Sequence, residues 1–189
     1  MSAASKIAIQ MNIKVGSVPW LVQKKHDYFI KNKNIMYGAL SISKGGKGYT
    51  LAFVGTINGE CTKVFSDCKV GIKDKENIPV EVLEDMFVNW AKSYFQTNNK
   101  KVPDHIILYR EGLSVPQTKT QLPKMELPAM YNMIKEIEKK TKTPNYNPKL
   151  TIITVNKKVN SKYFNVGKES GQNKFVPELM NVDSGSIII

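Results

Sequence analysis

Ile106-Ile107-Leu108-Tyr109-Arg110-Glu111-Gly112 runs four apolar or aromatic residues into a charged pair and then a glycine. An apolar run this short, stopped by a turn residue, predicts a strand buried on both faces. Tyr109 falls inside the run and is expected in the core. In open α/β sheets, ligands and catalytic groups gather at the carboxyl ends of such strands. Glu111 is therefore either the solvated end of the strand or part of a site.

The segments on either side supply its neighbours. Upstream, 35–43 (IMYGALSIS), 49–57 (YTLAFVGTI) and 61–70 read as an antiparallel meander. Lys44-Gly45-Gly46-Lys47-Gly48 joins the first two. It lacks the Gly-Lys-Ser/Thr ending of a phosphate loop and no helix follows it, so a hairpin is the reading. Asn58-Gly59 marks the second turn as a hairpin. Asn77-Ile78-Pro79 then opens a helix, with Asn77 as cap and the proline near the first helical residue. Leu83, Met86, Phe87, Trp90 and Tyr94 fall on one helical face and predict its core stripe.

Downstream, 113–124 contains Pro116 and Pro123 and reads as a loop. A second helix is predicted over 126–140, with Leu127, Met130, Ile134 and Ile137 on one face and lysines at its C-terminal end. Residues 150–155 form the fifth strand. The tail is rich in Gly and Asn, and 186–189 has the pattern of a strand at its start. Near the N-terminus, 6–16 alternates in part and fits either a strand or a short helix. Residues 23–34 are polar and charged and read as a connecting loop. The order β-β-β-α-β-α-β is that of a mixed, ribonuclease H-like sheet with helices on its faces.

Composition narrows the function. The 189 residues carry 28 Lys and Arg against 16 Asp and Glu, a net charge of +12. Such an excess points to an anionic partner, nucleic acid first. It is spread along the chain, with no basic tail, so a folded cleft has to gather it. Cys61 and Cys68, the only cysteines, make no metal or disulfide pattern with other residues. His26 and His105 match no catalytic arrangement. No apolar run reaches the ~18 residues of a membrane span. A signal-peptide core is not found at the N-terminus either, so an intracellular home, cytoplasmic or nuclear, is expected.

Three segments resemble the Piwi domain of the Argonaute family, and its Piwi branch in particular. KIAIQMNIKVG at 6–16, with Trp20 after it, looks like the junction of the middle and Piwi domains. IILYREGLSVPQ at 106–117 is similar to the family's strand ending Tyr-Arg-Asp-Gly. NPKLTIITVNKKVNSKYF at 147–164 is similar to its Asn-Pro-x-Leu-Thr strand and basic stretch, and Val182-Asp183 resembles a later family segment. The implied organisation is the end of a middle domain at 1–20, a connecting loop with an insertion at 21–34, and a partial Piwi domain at 35–189 that lacks its C-terminal part.

Family slicers cut target RNA with carboxylates and a final His or Asp that hold two divalent metals, chemistry suited to Mg²⁺. Carried over, the first Asp falls on Ser41, the family's glutamate on Pro79, and the next Asp on Glu111; the last ligand falls beyond residue 189. The resemblance thus implies a chain without slicer activity and without a cofactor. The alternatives are a nuclease that pairs Glu111 with Glu76 or Glu81 and needs Mg²⁺, or a truncated paralogue acting only through protein contacts. Lys14 matches a lysine that binds the guide 5′ phosphate, and Gln10 and Asn12 share its segment. Lys157, Lys158 and Lys162 match the basic stretch beside the cleft. The implied partners are a small guide RNA, target RNA, or both.

Overall fold

The computed structural model describes residues 2–21, 34–46, 48–74, 78–156, 164–166 and 179–181. It divides into two compact units, 1–156 and 157–189.

The first unit opens with α1 (Ala3–Lys14), capped by the Ser2 side chain, which accepts from the Ser5 amide. This settles the segment left open between strand and helix. Ala, Lys, Gln and Met favour the helix. The alternating apolar residues then scatter around it, so no α1 residue is buried, and Ile7, Met11 and Ile13 are exposed.

The sheet follows: β1 (Ile35–Gly45), β2 (Gly48–Thr56), β3 (Val64–Ile72), β4 (His105–Glu111) and β5 (Lys149–Val155). The order is β3-β2-β1-β4-β5. The meander is antiparallel, and β1–β4 and β4–β5 are parallel. Gly45 pairs with Gly48 across the first turn, so the glycine-rich stretch is a hairpin, as expected. The Asn58-Gly59 turn is longer than a tight hairpin, and β3 begins at Val64 rather than 61. The Asn58 side chain organises it: Oδ1 accepts from the amides of Thr62 and Lys63 at 2.9 Å each.

Helix α2 (Val80–Thr97) buries Leu83, Met86, Phe87, Trp90 and Tyr94, the predicted stripe, together with Ala91. Its N-cap is Pro79, which makes no side-chain cap bond, and Asn77 lies outside the described residues. The predicted loop at 113–124 is instead mostly helical. α3 (Val115–Gln121) starts at Ser114 with a full capping box to Gln117. A π-turn (Leu122–Glu126) then leads without a break into α4 (Leu127–Thr141). The prolines that suggest a loop, Pro116 and Pro123, are accommodated in the first two residues of their segments, as is Pro128 in α4. In the π-turn the Leu127 amide reaches back to the Leu122 carbonyl. This wider turn is the local answer to prolines that cannot donate to the ordinary ladder.

Both long helices cover the same face of the sheet. One core cluster joins Met36, Leu40, Leu51, Phe53, Ile106 and Leu108 to α2 and to Ala129, Met130, Met133, Ile134 and Ile137 of α4. Trp90 lies over β1 and β2 where Gly38 and Gly55 pair, and its indole donates to the Thr56 carbonyl at 3.0 Å. Strand β4 is therefore not buried on both faces. Its residues alternate, and Tyr109, expected in the core, is 40% exposed on the opposite face with Val54 and Ile153. Helices on both faces are thus not found among the described residues.

The second unit contains an antiparallel ribbon of β6 (Phe164–Val166) and β7 (Leu179–Asn181). The strand expected at 186–189 and the loop expected at 23–34 (bar its last residue) lie outside the described residues.

Candidate nucleic-acid interface

Strand parity decides what β1 and β4 present where their pairing ends. Their parallel register pairs Gly38 with Leu108 and Leu40 with Arg110, and these four point toward the helices. One step further, Ser41 and Glu111 point to the other, open face. Both are half-buried, and the Ser41 hydroxyl donates to Glu111 Oε2 at 2.8 Å. Gly112 then turns the chain away with φ +80°, a value that favours glycine. Its amide is held by the Val155 carbonyl at 3.1 Å.

The residue between them, Arg110, is driven to the buried side. It is 2% exposed. Its Nε donates to Glu126 Oε1 at 2.8 Å, and Glu126 is fully buried in the π-turn. Arg110 Nη1 also donates to the Glu111 carbonyl. The strand end is thus fixed from two sides: the Glu111 carbonyl by Arg110 below the sheet, its carboxylate by Ser41 above it.

The other predicted residues fall as follows. Pro79 is the N-cap of α2. Gln10 and Lys14 lie four residues apart on exposed α1, hence on one side of it. Asn12 is exposed on the same helix. Lys157, Lys158 and Lys162 lie outside the described residues, as does Glu76. Glu81 is exposed in the first turn of α2. Among the described residues, no three His, Cys, Asp or Glu side chains group together as metal ligands would. No described helix is long and apolar enough to cross a membrane. His105, which matches no catalytic arrangement, bonds through Nε2 to the Thr151 hydroxyl at 2.9 Å.

The sequence pattern places Glu126 only at the start of a helix and does not pair it with Arg110. The signal is nonetheless present. An arginine two and four residues after core-facing Leu108 and Ile106 must face the same way, and a buried guanidinium calls for a carboxylate.

The sequence profile of the Piwi domain matches residues 1–188. The chain belongs to the Piwi domain family. Chicken (Gallus gallus) Piwi-like protein 1 is 31% identical over 167 residues, which cover 87% of this chain and 18% of that protein. Drosophila melanogaster protein aubergine is 31% identical over 178 residues, again 87% of this chain and 18% of its own. The chain therefore spans about a fifth of the length of these curated relatives. Among solved structures, Kluyveromyces polysporus Argonaute with a guide RNA superposes with a TM-score of 0.71 at 21% identity, over 95% of this chain and 20% of that one. The C-terminal lobe of a budding yeast Argonaute gives 0.70 at 21%, over 96% and 36%. The Piwi assignment and the ribonuclease H-like sheet expected from the residues both hold.

Proposed function

We propose that this Piwi domain binds guide or target RNA and does not cut it. The observation that carries the second half is the Ser41–Glu111 hydrogen bond. The resemblance lays family metal carboxylates on both residues, yet one of the two is a neutral hydroxyl that is itself a donor to the other. Pro79, at a third such residue, has no side-chain oxygen. Two hard divalent ions need several anionic oxygens between them, and this donor set does not fit that need.

Binding is supported by family membership and by the net charge of +12. It is also supported by lysines at family contact residues: Lys14 with Gln10 for a guide 5′ phosphate, and Lys157, Lys158 and Lys162 for the backbone. Backbone contacts of this kind release counterions, so affinity falls as salt rises. The expected result is salt-dependent binding of single-stranded RNA, measured by fluorescence anisotropy, with no cleavage in Mg²⁺ or Mn²⁺. Changing Lys157 and Lys158 to Glu should flatten the slope of log affinity against log salt by about 1.4, at ~0.7 per lost contact. Affinity and slope unaltered by that double change would sink the reading. Cleavage that disappears in Glu111→Ala would favour the nuclease instead.

A further inference from the structure

The mismatch between the donor set and a divalent ion has a structural form of its own. Parallel pairing sets side chains 41 and 111 next to each other on the open face, one step past Leu40 and Arg110. The 2.8 Å contact between them is a hydroxyl donating to a carboxylate, a charge-assisted bond of the stronger kind. Glu111 is also held at its carbonyl by buried Arg110, so the bond joins groups whose backbones are fixed. For Ser41 and Glu111 to share a cation, the hydroxyl would have to turn its proton away from the carboxylate and offer only a neutral lone pair. With a carboxylate at 41, the same closeness would become like-charge repulsion, which a cation relieves.

We infer that the Ser41 hydroxyl stands on Glu111 in place of a divalent cation, so that this strand end meets an anionic backbone without a metal. Of the two touching side chains, it is residue 41 whose charge decides between the two states. The metal half of this inference stands on the Ser41–Glu111 geometry; only the backbone half rests on the RNA-binding reading.

The test titrates Mn²⁺ into the full chain and follows free ion by electron paramagnetic resonance. Wild type should show no saturable site that Glu111→Gln removes. Ser41→Asp should bind Mn²⁺ at least about tenfold more tightly than wild type, since a second anionic oxygen is what a hard ion lacks here. Ser41→Asn, similar in shape and neutral, should behave as wild type; it remains informative if Ser41→Asp does not fold. RNA affinity of the wild type, at matched ionic strength, should stay within about twofold between chelator and Mg²⁺.

A wild-type Mn²⁺ site lost in Glu111→Gln would overturn the inference. So would a folded Ser41→Asp with no gain, or RNA affinity that rises severalfold with Mg²⁺. Failure to bind RNA under any condition would instead sink the proposed function, and the Mn²⁺ titrations would still decide the role of Ser41.

Discussion

Arg110→Ala should destabilise the domain by about 3–5 kcal/mol, the range for removing one partner of a buried ion pair. The size follows from burial: the two side chains are 2% and 0% exposed. Alanine removes the Arg110 donor from the Glu126 carboxylate, inside the protein, where its other oxygen has no hydrogen-bond partner among the described residues. It also releases the Glu111 carbonyl. Glu126→Ala strands the guanidinium in the same way. Replacing both together, Arg110→Met with Glu126→Leu, should recover most of the loss, because apolar side chains of similar volume impose no desolvation. Urea melts with unchanged slope are the measurement. A single change costing under about 1 kcal/mol would mean that the pair is hydrated in solution.

Gly55→Ala is the second large effect. A Cβ there would lie 2.2 Å from Trp90 Nε1 and 2.4 Å from its Cε2, distances that real Cβ atoms do not show. The indole has to move, giving up its bond to the Thr56 carbonyl and its place against Phe53, whose ring centroid lies 5.0 Å away. Overpacking a filled core costs about 1–3 kcal/mol, and the broken hydrogen bond adds roughly another 1. Gly38→Ala should cost less, because its nearest contact is 2.8 Å, to the rim of the same ring. Trp90→Phe is destabilising alone but removes the clashing nitrogen, so in the Gly55→Ala background its added cost should shrink. That non-additivity in a double-mutant cycle is the specific signature of this contact.

The elements that could be read from residues alone are those whose pattern is strong and local. The apolar stripe of α2 repeats at helical spacing, and all five predicted residues are buried. Helix α4 is nearly as legible, though Leu127 is only half-buried and Met133 joins the face. Strand β4 shows the opposite case. Its unbroken apolar run hides an alternation in which Tyr109, expected in the core, is exposed and the charged Arg110 is buried. The helix at 115–121 is hidden in the sequence because prolines argue for a loop, and only the capping box at Ser114 argues against it. Ser41 and Glu111 lie 70 residues apart, and no local signal joins them. Resemblance suggested that they share a site; the parallel register of β1 and β4 makes them touch.

The π-turn at Leu122–Glu126 carries one residue more than an α-helical path between the same two helices would need. That extra residue is a rotation. Each α-helical residue advances the side chain by about 100°, so a chain shortened by one within 122–126 would still be helical but would swing one flanking helix around its axis relative to the other. If α4 kept its core contacts, everything before the deletion would turn, and the backbone around Glu126 would have to abandon either the Arg110 guanidinium or the packing of Met125. The segment is therefore intolerant of length rather than of composition. Substitutions at its exposed Pro123 and Lys124 should pass with little effect, while a single-residue deletion beside them should disconnect the helical layer from the end of β4.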